Sequence, residues 1–192
     1  KSELIKQVLK ETNIKSIYYE CKQTTEKNNV DSLAELIGES FDFPKPAFEN
    51  MEVLLTFLFK MSEKEPMILV LDEYPYLREN SKGLDSVLQS VIDHNKDTSK
   101  MKLIFCGSYV DTMKALLEKQ NPLYGRVDLT LNIKPMDYYE SALFYQEFSA
   151  EDKVRLFSVF GGIPYYNRLI DPKKSVRENI IELIASPGAR LE

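Results

Sequence analysis

Met67-Ile68-Leu69-Val70-Leu71-Asp72-Glu73 decides how this chain is read. Five apolar residues end abruptly in two adjacent carboxylates. An unbroken apolar run of that length is a strand buried on both faces, as in a parallel sheet covered by helices. Carboxylates at the carboxyl end of such a strand stand at the sheet edge where α/β proteins bind ligands.

The same stretch fits the Walker B pattern, in which Asp72 would hold a magnesium ion and Glu73 would orient and deprotonate a water. The chain opens Lys1-Ser2-Glu3-Leu4-Ile5, and Lys-Ser is how the phosphate loop G-x-x-x-x-G-K-[ST] ends before its helix. In that motif the glycine-rich half, and the strand that leads into it, stand upstream of the lysine. The chain is therefore expected to be part of a longer protein. Taken alone, it is expected to bind ATP weakly or not at all and not to hydrolyse it. Phosphate affinity comes largely from the backbone N–H groups of the glycine-rich loop.

Composition sets the outer bounds. A chain of 192 residues holds one substantial core with a small appendage. Hydrophobic residues make up 43% and charged residues 29%, ordinary values for a soluble globular domain. The net charge of −5, with Lys and Arg scattered, gives no basic field to draw nucleic acid, so direct nucleic-acid binding is not expected. The longest apolar stretches, such as 54–59, are too short to cross a bilayer. Cys21 and Cys106 sit in or beside expected buried strands, as reduced core cysteines of a cytoplasmic protein do. His94 is the single histidine, at a polar helix end, and no Cys/His cluster offers a zinc site.

Outward from the central strand, periodicity predicts helices over 2–11, 31–41, 50–61, 84–95 and 112–119. Strands are predicted over 16–21, 67–71, 101–106 and 128–134, with polar loops at 22–29 and directly after the Asp72-Glu73 pair. Strands alternating with helices imply a parallel sheet wound on both faces. After Pro135 the pattern turns helical, over 138–148, 150–160, 164–169 and 176–185. The expectation is an α/β core over 1–135 and a small helical lid over 136–192. A nucleoside-triphosphatase core of this kind has at least five parallel strands, and four are legible. The first, pre-loop strand is the one missing.

Hydrolysis of a nucleoside triphosphate needs neutralised phosphates, a magnesium ion, a positioned water and a sensor of the γ-phosphate. Lys1 would neutralise phosphate, the Ser2 hydroxyl would ligate magnesium, Asp72 would hold the ion and Glu73 would be the base. Gly107-Ser108 ends the next strand, where Ser108 is either a γ-phosphate sensor, a helix N-cap, or both. Arg126, in Asn121-Pro122-Leu123-Tyr124-Gly125-Arg126, opens the last expected strand and would contact the γ-phosphate in cis or in trans. Gly161-Gly162-Ile163-Pro164-Tyr165 is sufficiently explained as a helix C-cap followed by a helix start. Asn95-Lys96-Asp97 lacks the guanine-recognition spacing, which needs an Asp where Thr98 stands.

These segments together resemble the archaeal-type ATPase family, in the STAND branch of the AAA+-like P-loop ATPases. The resembling pieces are Lys1-Ser2, LVLDEYPYL at 69–77, LIFCGSYVDTM at 103–113, PLYGR at 122–126, Lys134-Pro135 and GGIPY at 161–165. They occur in the family's order and run over almost the whole chain. The resemblance implies ATP and Mg2+ as ligands, with Gly162, Ile163 and Pro164 near the adenine. It also implies a further C-terminal region through which a partner protein or a second copy could be engaged.

Three functions compete. The first is an ATP-hydrolysing domain whose cycle moves the helical lid. The second is a nucleotide-gated switch or scaffold with little turnover. The third is the ATPase module of a DNA-processing protein. The Asp72-Glu73 pair favours hydrolysis, since a pure binder has no need of a base at position 73.

Overall fold

The computed structural model describes residues 1–191 and divides the chain into two compact units, Lys1–Thr130 and Leu131–Glu192. The first unit is built on a parallel sheet of β1 (Lys15–Glu20), β2 (Met67–Asp72) and β3 (Met101–Phe105), in the order β1-β2-β3. Every residue of β2 is buried, as its unbroken apolar run requires. Parallel neighbours cannot be joined by a tight turn. Helices α2 (Glu26–Phe41) and α3 (Met51–Met61) therefore connect β1 to β2, and α4 (Tyr74–Asn80) and α5 (Leu84–Asn95) connect β2 to β3.

The two-residue period of a strand sorts β2 between two cores. Met67, Leu69 and Leu71 join Ile17, Tyr19, Leu33, Leu54, Leu58 and Leu88 in the main core. Ile68 and Val70 face the other way, into a smaller cluster with Cys106, Tyr18 and Ile104. Ile5 and Leu9 of α1 (Ser2–Glu11) cover that smaller face. Asp72 continues the even-numbered series, so the same alternation turns it towards the face that α1 covers.

Helix starts follow the local chemistry. Thr25 accepts a hydrogen bond from the Asn28 N–H at the head of α2, and Asn50 accepts one from the Val53 N–H at the head of α3. Helix α2 thus begins five residues before the expected start at 31, in the stretch expected to be a loop. The buried Asn29 carries that extra turn, accepting from the Tyr19 hydroxyl at 2.6 Å. Helix α4 also occupies an expected loop. Its seven residues are too few to show a helical period, and Pro75 in its first turn is a helix starter rather than a breaker. Helix α6 (Val110–Ala115) is shorter than its apolar pattern.

One expected strand does not form. Residues 127–137 carry no regular structure, and Val127, Leu129, Leu131 and Ile133 are 40%, 72%, 67% and 47% exposed. Alternating apolar residues prescribe a strand only where an edge is there to pair with, and among the described residues none pairs with this segment. The sheet therefore has three strands rather than four, with β2 between its neighbours.

The second unit is helical: α7 (Tyr138–Ala142), a 3-10 turn (Leu143–Tyr145), α8 (Ala150–Phe160), α9 (Pro164–Arg168), and α10 (Val176–Ile180) continuing as a π-helical turn (Ile181–Ala185). Its core is Tyr145, Leu156, Phe160, Ile170 and Leu183. Capping boxes start α7 (Asp137 with Glu140) and α10 (Ser175 with Glu178). Among the described residues no helix is long and apolar enough to cross a membrane.

Leu58 is fully buried and Leu129 is the most exposed of the apolar stretch. Leu58→Ala is expected to cost about 2–5 kcal/mol in chemical unfolding, and Leu129→Ala less than about 0.5 kcal/mol. A large loss at Leu129 would show that the 127–133 segment is packed.

Candidate functional site

At the carboxyl end of β2 the Asp72 carboxylate is 2% exposed and accepts four hydrogen bonds. Oδ2 accepts from Ser2 Oγ at 2.6 Å and from the Tyr18 hydroxyl. Oδ1 accepts from Cys106 Sγ at 2.8 Å and from the Glu73 N–H at 3.0 Å. Each donor follows from the fold. Ser2 opens α1, the helix on this face. Tyr18 pairs in register with Val70, two residues before Asp72. Cys106 directly follows β3, its N–H bonded to the Leu71 carbonyl at 3.1 Å.

Burial alone pushes the Asp72 carboxyl up, but the hydrogen bonds from Cys106, Ser2, Tyr18 and the Glu73 N–H together hold it below the usual carboxylate range. The partners move the other way. Burial, and then the bond to Asp72, pushes the Cys106 thiol up to about 12 and the Tyr18 phenol above its ordinary range. Asp72 at neutral pH is thus an anion held by protonated donors. Lys1 lies close enough for its charge to be felt at Cys106.

Glu73 sits in the left-handed region, φ 50°, a strain of about 1 kcal/mol for a residue with a Cβ. That conformation ends the strand, and the next residue opens α4, with the Tyr74 N–H bonded to the Cys106 carbonyl at 2.9 Å. Its carboxylate turns to Ser108, accepting from the backbone N–H at 3.1 Å and from Oγ at 2.9 Å. Ser108 therefore does not cap α6, which starts after Tyr109 without a side-chain cap. Gly107 is dictated by close packing, because a Cβ there would lie 2.6 Å from Pro75 Cδ.

A second network reaches outward from α4. The buried Asp85 accepts from the Tyr74 hydroxyl at 2.7 Å, Arg78 Nε at 2.8 Å and Asn121 Nδ2 at 2.8 Å. It ties the helix that follows Glu73 to α5 and to the turn that carries Arg126. Arg126 forms a fork on Asp93, at 2.8 and 2.6 Å, and donates to the carbonyls of Pro122 and Tyr124. It opens no strand, contrary to expectation, because the segment after it is unpaired.

Lys1, Ser2, Asp72, Glu73 and Ser108 thus meet at one end of the sheet, while Arg126 is bonded to Asp93. Gly162, Ile163 and Pro164 belong to the second unit. There Gly162 accepts from the Met136 N–H at 2.8 Å, and a Cβ on it would lie 1.8 Å from the Met136 carbonyl oxygen. Ile163 precedes α9 and Pro164 opens it. Sequence reasoning missed Tyr18 and the bond from Cys106. The strand order and register give the signal for both, since they set β1 and β3 on either side of Asp72.

A parallel α/β sheet with a helix-opening Lys-Ser set against an Asp-Glu pair defines a P-loop-type ATPase domain. Residues 1–169 match the model of a family described as an ATPase domain predominantly from Archaea, and the chain belongs to that family. Two uncharacterized proteins of Methanocaldococcus jannaschii are similar to it. One is 28% identical over 155 residues, 80% of this chain and 33% of the relative. The other is 34% identical over 68 residues, 33% of this chain and 66% of the relative. The chain thus spans a third of the length of the first and just under two thirds of the second. The fold is similar to that of a Walker-type ATPase of Pyrococcus abyssi, with a TM-score of 0.66, 18% identity, and 93% of this chain and 63% of that chain covered.

Gly162→Ala is expected to destabilise the second unit by about 1–3 kcal/mol in the absence of any nucleotide. Thermal unfolding of the nucleotide-free variant reads this directly. An unchanged melting point would mean that the glycine serves a ligand rather than the Met136 backbone.

Proposed function

We propose that this chain is the magnesium-dependent ATP-binding and ATP-hydrolysing part of its protein, with Asp72 and Ser2 at the metal and Glu73 as the base. The observation that carries the reading is the 2.6 Å bond between Ser2 Oγ and Asp72 Oδ2, joining residues 70 apart. It sets a hydroxyl at a helix start against an ionised carboxylate at a strand end. The donor set fits the ion, because magnesium takes hard oxygen ligands and keeps several of its waters. When bound, magnesium would neutralise charge on the β- and γ-phosphate oxygens.

The chain's own residues supply the rest. Helix α1 has no side-chain cap, so the N–H groups of its first turn are free to meet a phosphate, with the Lys1 ammonium beside them. Ser2 keeps its proton on Asp72 while its oxygen lone pairs face outward. Glu73 takes the proton of the attacking water once its carboxylate turns from Ser108. Ser108 would then have an N–H and a hydroxyl to offer the γ-phosphate. The helical unit would act as the lid, with Gly162, Ile163 and Pro164 at the adenine.

A nucleotide-gated switch with little turnover is the second reading. It is favoured by Glu73 being held by two donors of Ser108 and by Arg126 being spent on Asp93. Both groups are parked in this state, and nucleotide would have to release them.

In the intact protein, Glu73→Gln is expected to leave ATP affinity nearly unchanged and to lower turnover by roughly 10²–10⁴-fold. The change removes the base but keeps the size and the hydrogen bonds of the side chain. Phosphate release and nucleotide titration are the measurements. Unchanged turnover would remove Glu73 from the chemistry, and turnover already negligible in the wild type would select the switch.

A further inference from the structure

We infer that Tyr18 is a gate on the Asp72 carboxylate: its phenol fills the acceptor position that a metal-bound water needs, and it leaves when a divalent cation arrives. The inference rests on the reading of Asp72 as the residue that holds the metal.

An ionised carboxylate accepts at about four lone-pair positions, two on each oxygen. At Asp72 all are taken, by Ser2 and Tyr18 on Oδ2 and by Cys106 and the Glu73 N–H on Oδ1. A hydrated cation brings water protons that must find acceptors, so one of the present donors must go. The Glu73 N–H is fixed by the turn that opens α4. Ser2 stays, because its oxygen can meet the ion while its proton remains on Asp72. Cys106 is 9% exposed and packed in the small core.

Tyr18 differs from all three. It is only half-buried, and its ring lies beneath Lys6 Nζ at 4.8 Å, at the border of the face that α1 covers. Turning the side chain about its Cα–Cβ bond would carry the hydroxyl off Asp72 towards water, the ring moving with it. The tyrosine thus stands where the metal's water would donate. It keeps the buried carboxylate satisfied, and this makes metal binding a competition rather than a simple addition. A tyrosine that merely supported Asp72 would have the opposite effect, since its loss would misplace the carboxylate and weaken the metal.

The test is a titration of manganese alone against the intact protein as wild type, Tyr18→Phe and Asp72→Asn, with the free ion followed by electron paramagnetic resonance. Tyr18→Phe is expected to bind manganese roughly three- to tenfold more tightly than wild type, the size of one net hydrogen bond. Asp72→Asn is expected to lose binding. Equal or weaker binding by Tyr18→Phe, with binding still lost in Asp72→Asn, overturns the gate and leaves the metal reading intact. Wild-type affinity in Asp72→Asn overturns both, and no binding by any of the three proteins overturns the gate. A second readout uses carbon-13-labelled tyrosine: the ring resonance absent from the Tyr18→Phe spectrum should shift when magnesium is added to wild type. A resonance that stays still while the metal binds overturns the gate.

Discussion

A carboxylate taken out of water must be given donors or lose its charge, and Asp72 is the point at which this chain meets that demand. Its side chain is almost completely buried at the end of the strand on which the sheet is centred. The donors come from α1, β1, the residue after β3 and its own backbone neighbour. Four separate parts of the first unit are thus pinned to one anion. Losing one donor removes a hydrogen bond, while losing the carboxylate would leave several buried donors facing nothing.

The neighbouring acid is handled differently. Glu73 is partly exposed and lies in a left-handed turn that points its carboxylate away from Asp72 and towards Ser108. Two adjacent acids therefore occupy two environments, one buried and saturated and the other reachable and held by a single residue. The Asp85 network then connects the helix after Glu73 with the turn that holds Arg126. Any displacement of α4 would be felt there through hydrogen bonds rather than through loose packing.

Much of this was legible in the residues. The run from Met67 to Leu71 could only be a doubly covered strand. The helices at 2–11, 51–61, 84–95 and 150–160 follow directly from apolar spacing. The failures have physical causes. The 128–134 alternation describes a face and not a partner, and strands exist only in pairs. Helix α4 is too short to show a period. Of the two roles open to Ser108, the cap does not form, because a carboxylate 35 residues away offers its hydroxyl a charged acceptor.

The sequence by itself determined the parallel α/β class, the central strand, the helical second part and the meeting of Lys1, Ser2, Asp72, Glu73 and Ser108 at one sheet end. The first three depend on periodicity along the chain, and the meeting of Lys1 and Ser2 with the strand-end residues was read from the Lys-Ser ending of the phosphate-loop motif and the resemblance it supports. Only the tertiary structure decided that Tyr18 and Cys106 share the Asp72 carboxylate, that Glu73 is bound to Ser108, and that Arg126 is paired with Asp93. Those contacts join residues 33 to 54 positions apart. No pattern along the chain encodes them, because they follow from strand register and from the need of each buried charge for its own set of donors.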